Sequence, residues 1–136
     1  MNTYEYLSGK TASFRLKTIK DMAWMEDEES RSLNVLSTHS LVEMIHKCGF
    51  EFLKEYLEPY HTSVVVETHL EHVSVTPIGM VVNINLEVKE IKNNLVVFGF
   101  EAFDEVGKIA KGEFKRVVVS KTYLVRKINE KASKNT

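Results

Sequence analysis

The chain has 136 residues, 43% of them apolar and 27% charged, which is the composition of a single globular domain (1–136) rather than of a disordered chain. A net charge of −1 gives no general attraction to nucleic acid or to an anionic membrane. Cys48 is the only cysteine, which excludes an intramolecular disulfide and fits a reducing compartment. No apolar run approaches the ~20 residues of a membrane span, and no secretory leader is visible, so we expect a cytoplasmic protein without a membrane partner.

The first half of the chain predicts one strand and one long helix. Residues 11–19 are typical of a strand, and the acidic stretch 26–29 is expected to form a solvated loop or a helix end. Thr38 and Ser40 are N-cap candidates for the helix, and Ser40 with Glu43 has the spacing of a capping box. From Thr38 to Leu57 apolar residues recur every three or four positions, which predicts a helix with one buried stripe: Leu41, Ile45, Cys48, Phe52 and Tyr56.

The second half predicts four antiparallel strands, at 62–75, 80–92, 95–104 and 109–119. Short turns containing Gly, Asn or Pro separate them, and the end of the basic, polar tail after Lys121 is expected to fray. A long apolar helix followed by such strands needs a sheet wrapped around it, so we predict an α+β hotdog fold. The open edge of that sheet predicts pairing into a homodimer or a higher oligomer.

Three chemically active side chains stand out, a hydroxyl at Thr38 and imidazoles at His46 and His72. These are groups that acyl-transfer chemistry uses, and an imidazole is suited to act as a general base near neutral pH. A purely structural interpretation stays open, because Thr38 could simply cap the helix, which is worth about 1 kcal/mol. Alternation in strand 62–75 places five residues on the face expected to meet the helix: Val64, Val66, Thr68, Leu70 and His72.

Four stretches carry a resemblance to a known family. They are Val35-Leu36-Ser37-Thr38, Thr62-Ser63-Val64, His72-Val73-Ser74-Val75-Thr76-Pro77-Ile78-Gly79-Met80 and Phe103-Asp104-Glu105-Val106-Gly107. With them, the segment 35–119 resembles the fluoroacetyl-CoA thioesterase-like family of hotdog proteins. The resemblance implies hydrolysis of a short or medium acyl-CoA thioester to a carboxylate and free coenzyme A, with water as co-substrate and no cofactor.

The resemblance also implies site residues, position by position. Thr38 matches the family's threonine and His72 its histidine, whereas the family's helical glutamate falls on His46. The family glycine whose backbone N–H helps to hold the thioester carbonyl falls on Val65, and Gly79 ends the shared Thr-Pro-x-Gly turn. The candidate catalytic residues are therefore Thr38, His72 and His46, and the candidate substrate-binding residues are Val65 and Gly79.

The imidazole at position 46 leaves three alternatives open. His46 could itself be the base, Glu43 one helical turn earlier could reach the site, or the catalytic set could be broken. Glu43 suits a capping role equally well. A metal site is not expected, because His39, Glu43 and His46 lack the His-Glu-x-x-His arrangement.

Two other functions remain as alternatives. A non-catalytic protein that binds acyl-CoA or another small ligand could use the same scaffold. An enoyl-CoA hydratase would want an Asp/His pair in one loop–helix segment, which the sequence lacks. Cys48 and four phenylalanines are expected in the core: Phe98, Phe100, Phe103 and Phe114. Four cations are expected at the surface, where they could meet coenzyme A phosphates: Lys115, Arg116, Lys121 and Arg126.

Overall fold

One antiparallel sheet packs against one long helix in the computed structural model, which describes residues 4–135. The strands are β1 (Thr11–Lys17), β2 (His61–His72), β3 (Val81–Lys92), β4 (Leu95–Phe103) and β5 (Lys108–Ser120). The helices are α1 (Glu28–Leu33), α2 (Thr38–Lys54) and α3 (Lys121–Lys134), with short 3₁₀ turns at Glu5–Leu7 and Lys20–Met22. The strand order β1-β3-β4-β5-β2 leaves β1 and β2 at the sheet edges. The predicted α+β arrangement of a sheet around one helix is confirmed.

Helix α2 forms the centre of the core. Its stripe is buried at Leu41, Ile45, Cys48 and Phe52, as the periodicity predicts. Gly49 lies so close to the sheet that a Cβ atom there would stand 2.6 Å from the Phe114 ring. The prediction of Thr38 or Ser40 as N-cap was wrong: the N-cap is Ser37, whose hydroxyl accepts the Ser40 N–H at 3.1 Å. Ser37 thereby leaves the Thr38 side chain available for other contacts.

A β-bulge changes which β2 residues face the helix. The pairing of β2 with β5 shifts between Val65 and Glu67, so the two sides of the bulge differ in phase. Beyond the bulge Thr68, Leu70 and His72 are half-buried on the helix side, as predicted. Before it the helix side carries Ser63 and Val65, which stand opposite the buried Val118 and Arg116. The prediction that Val64 and Val66 face inward was therefore wrong.

The predicted strands appear with small changes at their ends. The acidic stretch 26–29 lies at a helix end, one of the two expected arrangements: Asp27 caps α1 by accepting the Ser30 N–H at 2.7 Å in a capping box. One element was not predicted, because Lys121–Lys134 forms a helix capped by Ser120; Thr136, at the end of the tail, lies outside the described residues. In the part of the chain that the structure describes, no helix has the length and apolar character needed to cross a bilayer.

Candidate functional site

Thr38 and His72 meet where α2 begins and β2 ends. Thr38 is the first residue of α2 and His72 the last of β2. The Thr38 Oγ1 atom lies 2.8 Å from His72 Nδ1, a hydrogen-bond distance. Two residues 34 positions apart in sequence are thus brought together as a hydroxyl–imidazole pair.

The loops around this pair hold the motif stretches against one another. The Leu36 N–H donates to the Thr76 carbonyl at 2.8 Å, and the Ile78 N–H donates to the Asn34 carbonyl at 3.0 Å. The hydroxyl of Thr76, a buried residue, donates to Asp104 Oδ2 at 3.0 Å. The segment before α2, the turn after β2 and the β4–β5 hairpin are therefore joined by hydrogen bonds, which fixes where Thr38 meets His72.

Gly79 belongs to this support rather than to the pair. Its φ of +106° falls in the region that favours glycine. Its backbone N–H donates to the Thr18 hydroxyl at 2.8 Å, so that N–H is already used. The Thr18 hydroxyl donates in turn to the Met80 carbonyl at 2.8 Å. Gly79 thus shapes the turn that follows His72.

The electrostatic surroundings favour a neutral His72. Burial lowers its pKa, and a backbone hydrogen bond with Ser74 acts in the opposite direction. Its second ring nitrogen, Nε2, is buried and has no hydrogen-bond partner among residues 4–135. A neutral imidazole with Nδ1 as acceptor can take the proton of the Thr38 hydroxyl. In that tautomer the proton on Nε2 faces the position where a catalytic triad would place its carboxylate.

The pair opens onto a cleft of about 700 Å³. Its walls are largely apolar. They come from the chain before α1, the segment between α1 and α2, the first turns of α2 and the segment after β2. The apolar residues that line it are Trp24, Val35, Leu36, Val42 and Val75. The N-terminal turn of α2 carries a partial positive charge at the same place. A carbonyl bound beside Thr38 would therefore meet both a hydroxyl and a helix N-terminus.

His46 does not join Thr38 and His72 within one protomer. It lies eight residues further along α2, about 12 Å by helix rise. Its Nε2 atom lies 2.7 Å from the Thr68 hydroxyl, and its ring packs against Phe114 with a centroid distance of 5.4 Å. Burial first, and then the charge of Arg116, lowers the His46 pKa.

Arg116 is the residue that the sequence interpretation misplaced. It was expected at the surface but is only 6% exposed. Its guanidinium donates to the Ser63 carbonyl and hydroxyl at 3.0 and 3.1 Å and to the His46 carbonyl at 2.7 Å. Its Nε atom has no partner, and no ion pair to a carboxylate forms within the described part of the chain. Burial lowers the Arg116 pKa to about 10. A signal was present in β5, because Arg116 alternates with Phe114 and Val118.

Val65 also lies away from the pair in one protomer. It stands opposite Arg116 in the β2–β5 register. Seven residues of strand separate it from His72, roughly 23 Å at 3.3 Å per residue. Glu43 is exposed on α2. The protomer thus assembles Thr38 with His72, whereas Val65 and His46 lie further along the β2 edge.

No metal centre is assembled by the described residues: they contain no group of three or more His, Cys, Asp or Glu side chains placed to hold an ion. Cys48 is buried, and burial raises its thiol pKa to about 11. Phe98, Phe100 and Phe114 are buried core residues.

Solved structures with this architecture identify the fold. A hot-dog-like protein from Thermanaerovibrio acidaminovorans superposes with a TM-score of 0.87 at 23% identity, over 95% of this chain and 96% of that one. A thioesterase superfamily member from Thermus thermophilus gives 0.81 at 22% identity, over 93% and 95%. A variant of the fluoroacetyl-CoA-specific thioesterase FlK, in complex with fluoroacetate and CoA, gives 0.79 at 20% identity, over 86% and 98%. The predicted hotdog fold is therefore confirmed.

Sequence comparison gives the family. A search of curated proteins found no match. The sequence profile of the fluoroacetyl-CoA-specific thioesterase family, FlK, matches residues 18–122. This match includes Thr38, His46 and His72 and every strand from β2 to β5. The chain therefore belongs to the FlK family of fluoroacetyl-CoA-specific thioesterases.

Proposed function

We propose that this protein hydrolyses a short or medium acyl-CoA thioester to a carboxylate and free coenzyme A. The observation that carries the proposal is the 2.8 Å contact between the Thr38 hydroxyl and the His72 imidazole, both of which line an open cleft. Family membership supports thioester hydrolysis in general. The FlK structure with fluoroacetate and CoA supports an acyl-CoA as the ligand.

The reaction begins with neutral His72 as the base. His72 removes a proton from the Thr38 hydroxyl, or from a water that Thr38 orients, as the oxygen attacks the thioester carbonyl. The tetrahedral oxyanion is stabilised by the N-terminal turn of α2. The C–S bond then breaks, and the imidazolium returns its proton to the departing thiolate. If Thr38 carries the acyl group, a second cycle with water releases the acid and restores the hydroxyl.

A homodimer paired through β2 belongs to this proposal. β2 is an edge strand, and an isologous antiparallel pair sets the His61 end of one copy beside the His72 end of the other. In the register that sets Val65 of the second copy opposite His72 of the first, the Val65 backbone N–H could hold the thioester carbonyl. His46, near the middle of the same edge, would give second-line support. A cytoplasmic location, inferred from the single cysteine, is part of the same proposal.

Free-thiol release tests the proposal. Purified wild type, Thr38→Val and His72→Ala are compared on a panel of short and medium acyl-CoAs, with His69→Ala as the matched control because His69 is an exposed histidine on β2 outside the lining of the cleft. We expect turnover in wild type and in the control, and its collapse in both Thr38→Val and His72→Ala. Turnover that survives in both variants would overturn the assignment of the pair.

Ligand binding without catalysis is the second candidate, and one observation favours it. The His72 Nε2 atom lacks a hydrogen-bond partner within residues 4–135, so no carboxylate among these residues supports the base. Titration calorimetry with a non-hydrolysable acyl-CoA analogue separates the two functions. Tight binding by a folded wild type that releases no thiol across the panel would establish the binding protein.

A further inference from the structure

Helix α3 leaves an apolar stripe uncovered. The helix is joined to the sheet at its start, where the Lys121 N–H donates to the Tyr60 carbonyl at 2.9 Å. From there its apolar positions share one face, and Val125 and Ile128 are 55% and 57% exposed. Leu124 is half-buried and Ala132 is exposed. A helix of about four turns with such a stripe gains stability when another surface covers the stripe.

The charges of α3 indicate what kind of surface could cover its apolar stripe. The helix carries one carboxylate, Glu130, and five cations: Lys121, Arg126, Lys127, Lys131 and Lys134. An acidic surface would complement this charge. The cleft at Thr38 and His72 has this character. Its apolar wall includes Val75, 69% exposed, and Trp24, and the acidic run 26–29 lies beside it. The apolar stripe and the cations of α3 thus match the apolar wall and the carboxylates of the cleft.

The helix cannot reach the cleft of its own protomer. α3 begins at the His61 end of β2, since Ser120 pairs with His61. The cleft lies at the other end of this twelve-residue strand, about 36 Å away at 3.3 Å per residue. The fourteen residues of α3 span only about 21 Å. A second copy removes the difficulty, because antiparallel pairing of two β2 edges sets the His61 end of one beside the His72 end of the other.

We propose that α3 of each copy docks across the Thr38–His72 cleft of a second copy, with its apolar stripe on the wall formed by Trp24 and Val75. This inference rests on the β2-paired homodimer of the proposed function. It adds that the cleft is completed in trans by a segment beyond residue 122, where the family match ends. The acidic run 26–29 of one copy then faces the lysines of the other.

Cross-linking between differently tagged copies tests the docking without requiring turnover. One copy carries Ile128→Cys and the other Val75→Cys, and the mixed dimer is treated with a short bis-maleimide. The native Cys48 stays silent, because it is buried and its thiol pKa is raised to about 11. The matched control replaces Val75→Cys by Lys92→Cys, which is exposed at the opposite end of the sheet. We expect the inter-copy product with Val75→Cys to exceed the control several-fold, and to fall to the control level when Val125→Asp is added to the first copy.

Two results of this experiment would overturn the docking. They are equal yields for Val75→Cys and Lys92→Cys, and a monomer in solution. Flotation of wild type with phosphatidylserine vesicles that is lost in the double variant Val125→Asp/Ile128→Asp would also overturn it and assign α3 to a lipid surface. Specific cross-linking to Val75→Cys, together with an unmodified wild type that releases no thiol from any acyl-CoA, would keep the docking and remove the thioesterase proposal, so the two failures are distinguishable.

Discussion

Replacing His46 by glutamate is expected to stabilise the protein, because it supplies the negative charge that Arg116 lacks. Arg116 is buried, and its Nη2 atom already donates to the His46 carbonyl at 2.7 Å. A carboxylate on the same residue can turn toward the guanidinium and still accept from the Thr68 hydroxyl, which now lies 2.7 Å from the imidazole. Burying a cation that has only neutral partners costs desolvation free energy, and a nearby anion offsets part of that cost.

The size of the effect follows from Coulomb's law. At about 5 Å and an effective dielectric of about 20, the attraction between carboxylate and guanidinium is roughly 3 kcal/mol. Taking the carboxylate out of water at this half-buried position cancels part of it, so a net gain of about 1–2 kcal/mol in the free energy of unfolding remains. His46→Gln is the matched control, because it keeps a hydrogen-bonding side chain and adds no charge.

Urea unfolding at neutral pH measures the difference, with equal m-values required for the comparison. The same pair of substitutions is then made in an Arg116→Met background, where the anion has no cation to meet. We expect His46→Glu to be more stable than His46→Gln with Arg116 present and less stable without it. Equal stabilities in the parent background, or a gain that survives Arg116→Met, would refute the reasoning.

Three further expectations concern protons and packing. Because burial lowers the His72 pKa below its ordinary 6.5, the acid limb of kcat/KM should have its midpoint below that value; a midpoint above it would contradict a neutral buried base. His46 also has a lowered pKa, so its imidazole binds a proton more tightly in the unfolded chain than in the folded one. The free energy of unfolding should therefore be highest above about pH 6.5 and fall as the pH drops below that value. In urea unfolding midpoints measured against pH, His46→Gln should flatten this fall, and an unchanged slope would contradict the role of His46. Gly112→Ala should destabilise by about 3 kcal/mol or more, because its Cβ would lie 2.0 Å from the His69 carbonyl, whereas Gly107→Ala meets nothing within 4 Å; similar melting temperatures for the two would refute the clash.

The sequence predicted the fold well because its signals were local and periodic. The α2 stripe repeats at helical spacing, and in β3 the alternation of Ile84, Leu86 and Val88 with polar residues matches their burial. The motif stretches around Thr38 and His72 were recognisable for another reason. Their turn and loop residues make the hydrogen bonds that join these loops, such as Thr76 with Asp104.

The features that the sequence analysis missed are a β-bulge, a buried arginine and a polar helix. One extra residue at the β2 bulge reversed the facing of Val64 and Val66, and bulges leave little trace in a pattern of period two. Arg116 was placed at the surface on residue type alone, although its alternation with Phe114 and Val118 pointed inward. Helix α3 was not predicted, because the polar composition of the tail outweighed its apolar stripe.

Position 46 separates two roles that one substitution can distinguish. The stability gain expected of His46→Glu depends only on Arg116, which lies in the same protomer. A gain in turnover would need the new carboxylate to act on the Thr38–His72 pair, which lies about 12 Å away along α2. Within one protomer that distance is too long for a hydrogen bond, so catalysis could respond only through a second copy. A variant that is more stable but no faster would therefore assign position 46 to the neutralisation of Arg116. A variant that is both more stable and faster would place it in a site shared across the β2 edge.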